Sequence, residues 1–222
     1  MCGRYNIVTD AQALYDGFEV IASLDLAPRY NVAPSQDVLA IRQSEQGNEA
    51  VMLRWGLIPF WAKDTKIGYK TINARAETVA TKPAFRAAYK NRRCLIPASG
   101  FYEWQREKDG SKQPYNICMT DKRLFAFAGL WEHWQGPEGK VIESCTIIVT
   151  EANELIAPVH NRMPVILDKS DYDAWLDPSN KAVAPLLKSY PSDEMMTYPV
   201  STMVNSPRND SAELLERVGR GA

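Results

Sequence analysis

Alternating or continuous apolar runs recur along this chain at short intervals. They cover 37–42, 50–55, 93–98, 101–105, 113–119, 123–130, 141–149 and 163–167, and each has the length and pattern of a strand with one face in a core. Gly47-Asn48 and Asp109-Gly110 supply turn residues for hairpins. Period-3.6 segments are fewer and shorter. Thr9-Asp10-Ala11-Gln12 has the form of a capping box and predicts a helix over 11–18. Further helices are predicted over 76–80, over 83–90 with Pro83 in its first turn, over 171–176 behind Ser170, and over 181–187 and 212–217.

Strands dominate and helices interrupt them irregularly, which predicts an α+β fold: antiparallel or mixed sheets closing toward a barrel-like core, with short peripheral helices. No linker, repeat or low-complexity tract divides the 222 residues, and Pro178-Ser179-Asn180 is too short for a boundary, so one domain over 1–222 is expected. No apolar run approaches the roughly 18 residues that a membrane span needs, and MCGRYNIVTD lacks the basic and apolar regions of a signal peptide. The expected setting is the cytoplasm, or the nucleoid in a bacterium, and the default state is a monomer.

Net charge changes this picture only when it is resolved along the chain. The total is −1, yet residues 54–93 hold ten Lys or Arg against two acids, a balance of +8, between flanks of −4 and −5. Trp55, Phe60, Trp61 and Tyr69 lie in the same stretch. Cations interleaved with flat rings suit single-stranded nucleic acid, whose phosphates meet the charges while unstacked bases meet the rings. The competing reading is a solvated surface over rings that belong to the core.

Four cysteines, Cys2, Cys94, Cys118 and Cys145, lie far apart with no C-x-x-C spacing, which disfavours zinc and a disulfide framework. Nothing in the sequence asks for a metal, a nucleotide or another cofactor. Cys2 is distinct because removal of Met1 would leave an α-amine and a thiol on one residue. That pair can form a Schiff base with an aldehyde and close a five-membered thiazolidine. Alternatively, the thiolate attacks an acyl carbon with the amine as base, as in N-terminal nucleophile hydrolases. A small buried hydrophobe after the start codon is the third option. Arg4 places a cation close to the thiol in either chemical case.

Seven blocks in order, M-C-G-R-Y at 1–5, Y-N-V-A-P-S-Q at 30–36, R-W-G-L-I-P-F-W at 54–61, I-N-A-R-A-E-T at 72–78, R-C-L-I-P-A-S-G-F-Y-E-W at 93–104, F-A-G-L-W-E at 127–132 and V-H-N-R-M-P at 159–164, resemble the SRAP family of abasic-site processing proteins. The likeness runs to V-N-S-P-R-N-D at 204–210. It implies a sensor of abasic sites in single-stranded DNA, with single-strand/duplex junctions as a further candidate substrate. Cys2 would trap the ring-opened sugar aldehyde as a thiazolidine crosslink, and lyase activity or crosslink reversal would be open to the same site. Matched by position, Asn73, Glu103 and His160 would surround Cys2.

Chemistry suggests their roles. Glu103, between Tyr102 and Trp104, suits acid/base work with a raised pKa. His160 suits proton transfer near neutrality, and Asn73 suits orientation. Arg4, Arg75, Arg86 and Arg162 are the expected phosphate contacts, with Trp61 and Trp104 as stacking surfaces and Tyr69 as a wedge. A thiol peptidase using Cys2, Glu103 and His160, an N-terminal nucleophile amidohydrolase and a plain single-stranded DNA binding module are the alternatives.

Overall fold

The computed structural model describes residues 2–21 and 26–219. Its strands are β1 (Tyr5–Ile7), β2 (Arg29–Val32), β3 (Asp37–Ser44), β4 (Gly47–Trp55), β5 (Asn73–Arg75), β6 (Arg93–Ala98), β7 (Gly100–Arg106), β8 (Lys112–Met119), β9 (Phe125–Gln135), β10 (Val141–Glu151), β11 (Arg162–Pro164), β12 (Ile166–Leu167) and β13 (Met195–Pro199). The α-helices are α1 (Ala11–Phe18), α2 (Arg86–Asn91) and α3 (Tyr172–Leu176). Among the described residues, no helix is long and apolar enough to cross a membrane.

Five strands close on themselves. β10 pairs parallel with β4 through Ser144–Arg54 and Cys145–Trp55, β4 antiparallel with β3, β3 with β6 at Ile41–Leu95, β6 with β9, and β9 back with β10. This ring is the barrel that the alternating pattern predicts, and closure leaves its strands no free edge there. A second sheet runs in the order β13-β8-β7-β1-β2. Tyr5 and Phe101 from that sheet meet Phe127 of the barrel edge-on, with ring centroids 5.8 and 6.0 Å apart. These aromatic contacts join the sheet to the barrel within one continuous apolar core.

β10 extends beyond the closed ring. Its last residues take β5 on one edge (Ile147–Asn73, Val149–Arg75) and β11 on the other (Val149–Pro164, Glu151–Arg162). A single long strand thus carries Asn73 and Arg75 on one flank and Arg162 on the other, from segments nearly ninety residues apart in sequence.

The main departures from expectation have local causes. Glu45 and Gln46 form the first hairpin's turn, so Gly47 and Asn48 already pair as strand residues with Ser44 and Gln43. Residues 76–80 are a string of turns, 181–187 contain only a 3-10 turn at Ala184–Leu186, and 212–217 only one at Ala212–Leu215. The run 163–167 breaks at Val165, whose N–H bonds to Ile148 O. In α1 the cap is Asp10, whose carboxylate accepts from the Ala13 N–H at 2.8 Å, rather than Thr9.

Gly56 turns the chain out of β4 with φ +126°, and a Cβ built there would lie 2.6 Å from Gly68 O. This close approach folds the 58–70 loop, with Phe60, Trp61 and Tyr69, back on its base. Gly56→Ala is expected to lower stability by about 3 kcal/mol, from backbone strain and the clash together; a urea titration matching the wild type would contradict this.

Candidate active site

Cys2 precedes β1 and is fully buried. Its Sγ points toward Arg4 O at 4.0 Å, and Arg4 O also accepts from the Tyr102 N–H at 2.9 Å, so the first residues are tied to β7. Burial pushes the thiol well above its ordinary range; the charge of Glu103 adds to this and the positive charge of the amino terminus opposes it. The thiol is therefore a poor thiolate source as it stands.

Glu103 lies within β7, opposite Tyr115, and is 3% exposed. Burial raises its carboxyl from 4.5 to about 7, again against the pull of the amino-terminal charge. A carboxyl near 7 divides between acid and base forms at neutral pH, which is what reversible proton transfer requires.

His160 is half-buried in the turn before β11. Its Nδ1 faces both the Arg162 N–H at 3.0 Å and the Arg162 carbonyl at 3.2 Å, accepting from the first in one tautomer and donating to the second in the other. Burial and then the amino-terminal charge lower its pKa, so the ring is neutral at pH 7. The same terminal charge acts on Cys2, Glu103 and His160, which places all three around the start of the chain.

Asn73 bonds Ile147 O through Nδ2 at 3.4 Å, while its buried Oδ1 has no hydrogen-bond partner among the described residues. An acceptor held dry and unmatched is costly unless something completes it. Arg75, two residues along the strand and on the same face, is exposed. Arg162 reaches across from β11 to pair with Glu77, whose carboxyl is lowered by that bond against a burial effect that raises it.

The remaining expected DNA contacts divide into two groups. Of the ten basic residues in 54–93, Lys63, Lys66, Lys70, Arg75, Lys82, Arg86 and Lys90 are exposed, whereas Arg93 is buried and bonded to the carbonyls of Trp175, Tyr89 and Asn180. Trp61, Phe60 and Tyr69 are also exposed, and Trp61 Nε1 reaches Pro83 O at 3.4 Å near the start of the Arg86 helix. Trp55 belongs to the core, 1% exposed and bonded to Ile72 O. The basic surface with exposed rings is therefore physical, less its two most structural members.

Arg4 and Trp104 are engaged inside the protein. Arg4 Nη1 donates to Asn31 Oδ1 at 2.8 Å and to Val204 O at 2.7 Å, its guanidinium lies 6.0 Å from the Trp104 ring, and Trp104 Nε1 donates to Asn205 Oδ1 at 2.7 Å. Glu77, Asn31 and Asp210 were not singled out by the sequence pattern. All three do fall within the I-N-A-R-A-E-T, Y-N-V-A-P-S-Q and V-N-S-P-R-N-D blocks, the one signal that could have marked them.

A family model described as SOS response associated peptidase (SRAP) matches residues 1–207. The chain belongs to the SRAP family. The abasic site processing protein YoqW of Bacillus subtilis is 47% identical to this SRAP chain, over 97% of the chain and 99% of the relative. The abasic site processing protein HMCES of Gallus gallus is 34% identical over 87% of the chain and 67% of its own length. A crystal structure of a Bacteroides thetaiotaomicron protein superposes with a TM-score of 0.87 at 30% identity, covering 98% of the SRAP chain and all of that protein.

Proposed function

We propose that this protein captures abasic sites in single-stranded DNA as a covalent thiazolidine on Cys2 after removal of Met1. The observation that carries the reading is the grouping of a thiol, a carboxyl with a pKa near 7 and a neutral histidine around the amino-terminal charge. The relatives named as abasic site processing proteins support the same substrate.

The order of steps follows from the protonation states. Opening of the sugar ring breaks the C1′–O4′ bond and passes the C1′ hydroxyl proton to O4′, with the His160 imidazole as the carrier. The Cys2 amine then attacks the aldehyde carbon, and the acid form of Glu103 protonates the resulting hydroxyl, which leaves as water. The thiol adds to the imine carbon and its proton ends on nitrogen, so one water is lost overall. The sulfur acts second, on an activated imine, and its raised pKa is tolerable. A peptidase would need a thiolate as the first nucleophile, and burial of Cys2 weighs against that order. Elimination from the same Schiff base would cleave the strand.

Mixing purified protein with an oligonucleotide carrying one abasic site should give a heat-stable shifted band on a denaturing gel, and none with intact bases. The absence of a band from wild-type protein, or an equal band with intact bases, overturns the proposal. Intact mass should show loss of Met1.

Non-covalent affinity comes from the basic surface. Arg75→Ala and Arg162→Ala are each expected to weaken single-stranded binding and flatten the dependence of log affinity on log salt by about 0.7. Unchanged slopes in both variants would return the patch to an ordinary solvated face.

A further inference from the structure

Residues 204–210 lie against Arg4 and β2 as a strap. Asn31 on β2 is fully buried. Its Nδ2 faces the carbonyls of Asn209, Ser206 and Val204 at 2.7, 3.0 and 3.3 Å, and its Oδ1 receives Arg4 Nη1. β2 is the last strand of its sheet, and Asp210 covers the open edge. Its Oδ1 accepts the backbone N–H groups of Tyr30 and Asn31, and its Oδ2 takes Arg29 Nε at 2.9 Å. One carboxylate thus satisfies two edge donors with charge-assisted bonds. Below the strap, Val204 and Leu214 are fully buried in a small cluster with Tyr102, against which Trp104 packs. These two residues flank Glu103.

We propose that Asn31 and Asp210 are positioning residues for the Cys2 chemistry: the latched strap fixes the Arg4 side chain, and through Arg4 and Gly3 it fixes Cys2. This rests on the crosslinking function proposed above. Arg4 is held at both ends, its backbone oxygen by Tyr102 and its guanidinium by Asn31 and Val204 O. Without the strap, the guanidinium would lose Val204 O and keep only Asn31, whose own amide would have lost the strap carbonyls that orient it. Covalent chemistry at Cys2 is sensitive to such displacement, because about 1 Å of misplacement can cost 10²-fold in rate.

Three measurements on Asp210→Ala separate this from a general loss of stability. The first is affinity for an oligonucleotide with a tetrahydrofuran abasic analogue, which has no aldehyde. The second is the single-turnover crosslinking rate at saturating abasic DNA. The third is alkylation of Cys2 and Cys94 by iodoacetamide in DNA-free protein, read by peptide mass. Crosslinking should slow by roughly 10- to 100-fold while tetrahydrofuran affinity stays within about twofold. Alkylation of Cys2 should accelerate while Cys94, deep in the barrel, stays protected. Asp210→Asn keeps the acceptor for both N–H groups and should restore most of the rate.

Wild-type rates of both crosslinking and Cys2 alkylation in Asp210→Ala would overturn the proposal. So would a loss of tetrahydrofuran affinity equal to the loss of rate, which would make the strap part of the DNA surface. If Cys94 opens too, the milder Asp210→Ser is compared in the same way, and exposure of Cys94 in both reduces the strap to a global stabiliser and rejects the proposal. Should wild-type protein form no crosslink, the functional reading fails, and the alkylation comparison alone still decides whether the strap holds Cys2.

Discussion

Cys2→Ser is expected to eliminate the heat-stable adduct while preserving a Schiff base that cyanoborohydride traps. Oxygen in place of sulfur keeps the α-amine, the side-chain size and a second residue small enough for methionine removal. The amine can still attack the aldehyde and lose water. The hydroxyl, however, closes only a hydrolysable oxazolidine, so the adduct should vanish from a denaturing gel run after heating without reductant. With reductant present during incubation, the band should return at a strength comparable to wild type. Cys2→Ala should give the same pair of results. Cys94, Cys118 and Cys145 are buried and carry no α-amine, so Cys94→Ala should crosslink as wild type does. An equally heat-stable band from Cys2→Ser without reductant would show that sulfur is not the trapping atom and would sink the thiazolidine.

The parts of the fold that were legible in the sequence are those whose stability is local. β3, β4 and β6 to β10 are long enough for alternation to register, and α1 carries its own cap at Asp10. β1, β2, β5 and β13 were not legible, because strands of three to five residues have no period of their own and exist only through their neighbours. β5, for example, is a strand only because the extended end of β10 is there to pair with Asn73–Arg75.

The site divides in the same way. Cys2, Glu103 and His160 could be singled out from the sequence, and the amino-terminal charge acts on all three. The use of Arg4 and Trp104 could not be read, since their partners are in the C-terminal segment; Arg4 and Val204 are 200 positions apart. A cation beside a nucleophile suggests a phosphate contact until a distant carbonyl is shown to take the same N–H.

The second large effect is expected from Glu103→Gln, which should slow adduct formation by about 10²–10⁴-fold, the range for a lost general acid–base, yet make the protein more stable above neutrality. Burial holds the carboxyl at about 7 instead of 4.5. Between those values the folded state binds a proton that the unfolded state has released, so unfolding free energy falls as pH rises through the window and levels off above it. The accumulated loss is about 3 kcal/mol. Glutamine has nearly the same shape and no charge to bury, so the variant and wild type should be equally stable near pH 4 and differ by about that amount near pH 8, measured by urea unfolding at both. In the pH–rate profile, wild-type crosslinking should decline on the alkaline side as Glu103 gives up its proton, and Glu103→Gln should lack that limb. A variant with wild-type rate and an unchanged profile would remove Glu103 from the proton transfers. A rate loss without the gain in stability near pH 8 would mean that the carboxyl is not held protonated by its burial.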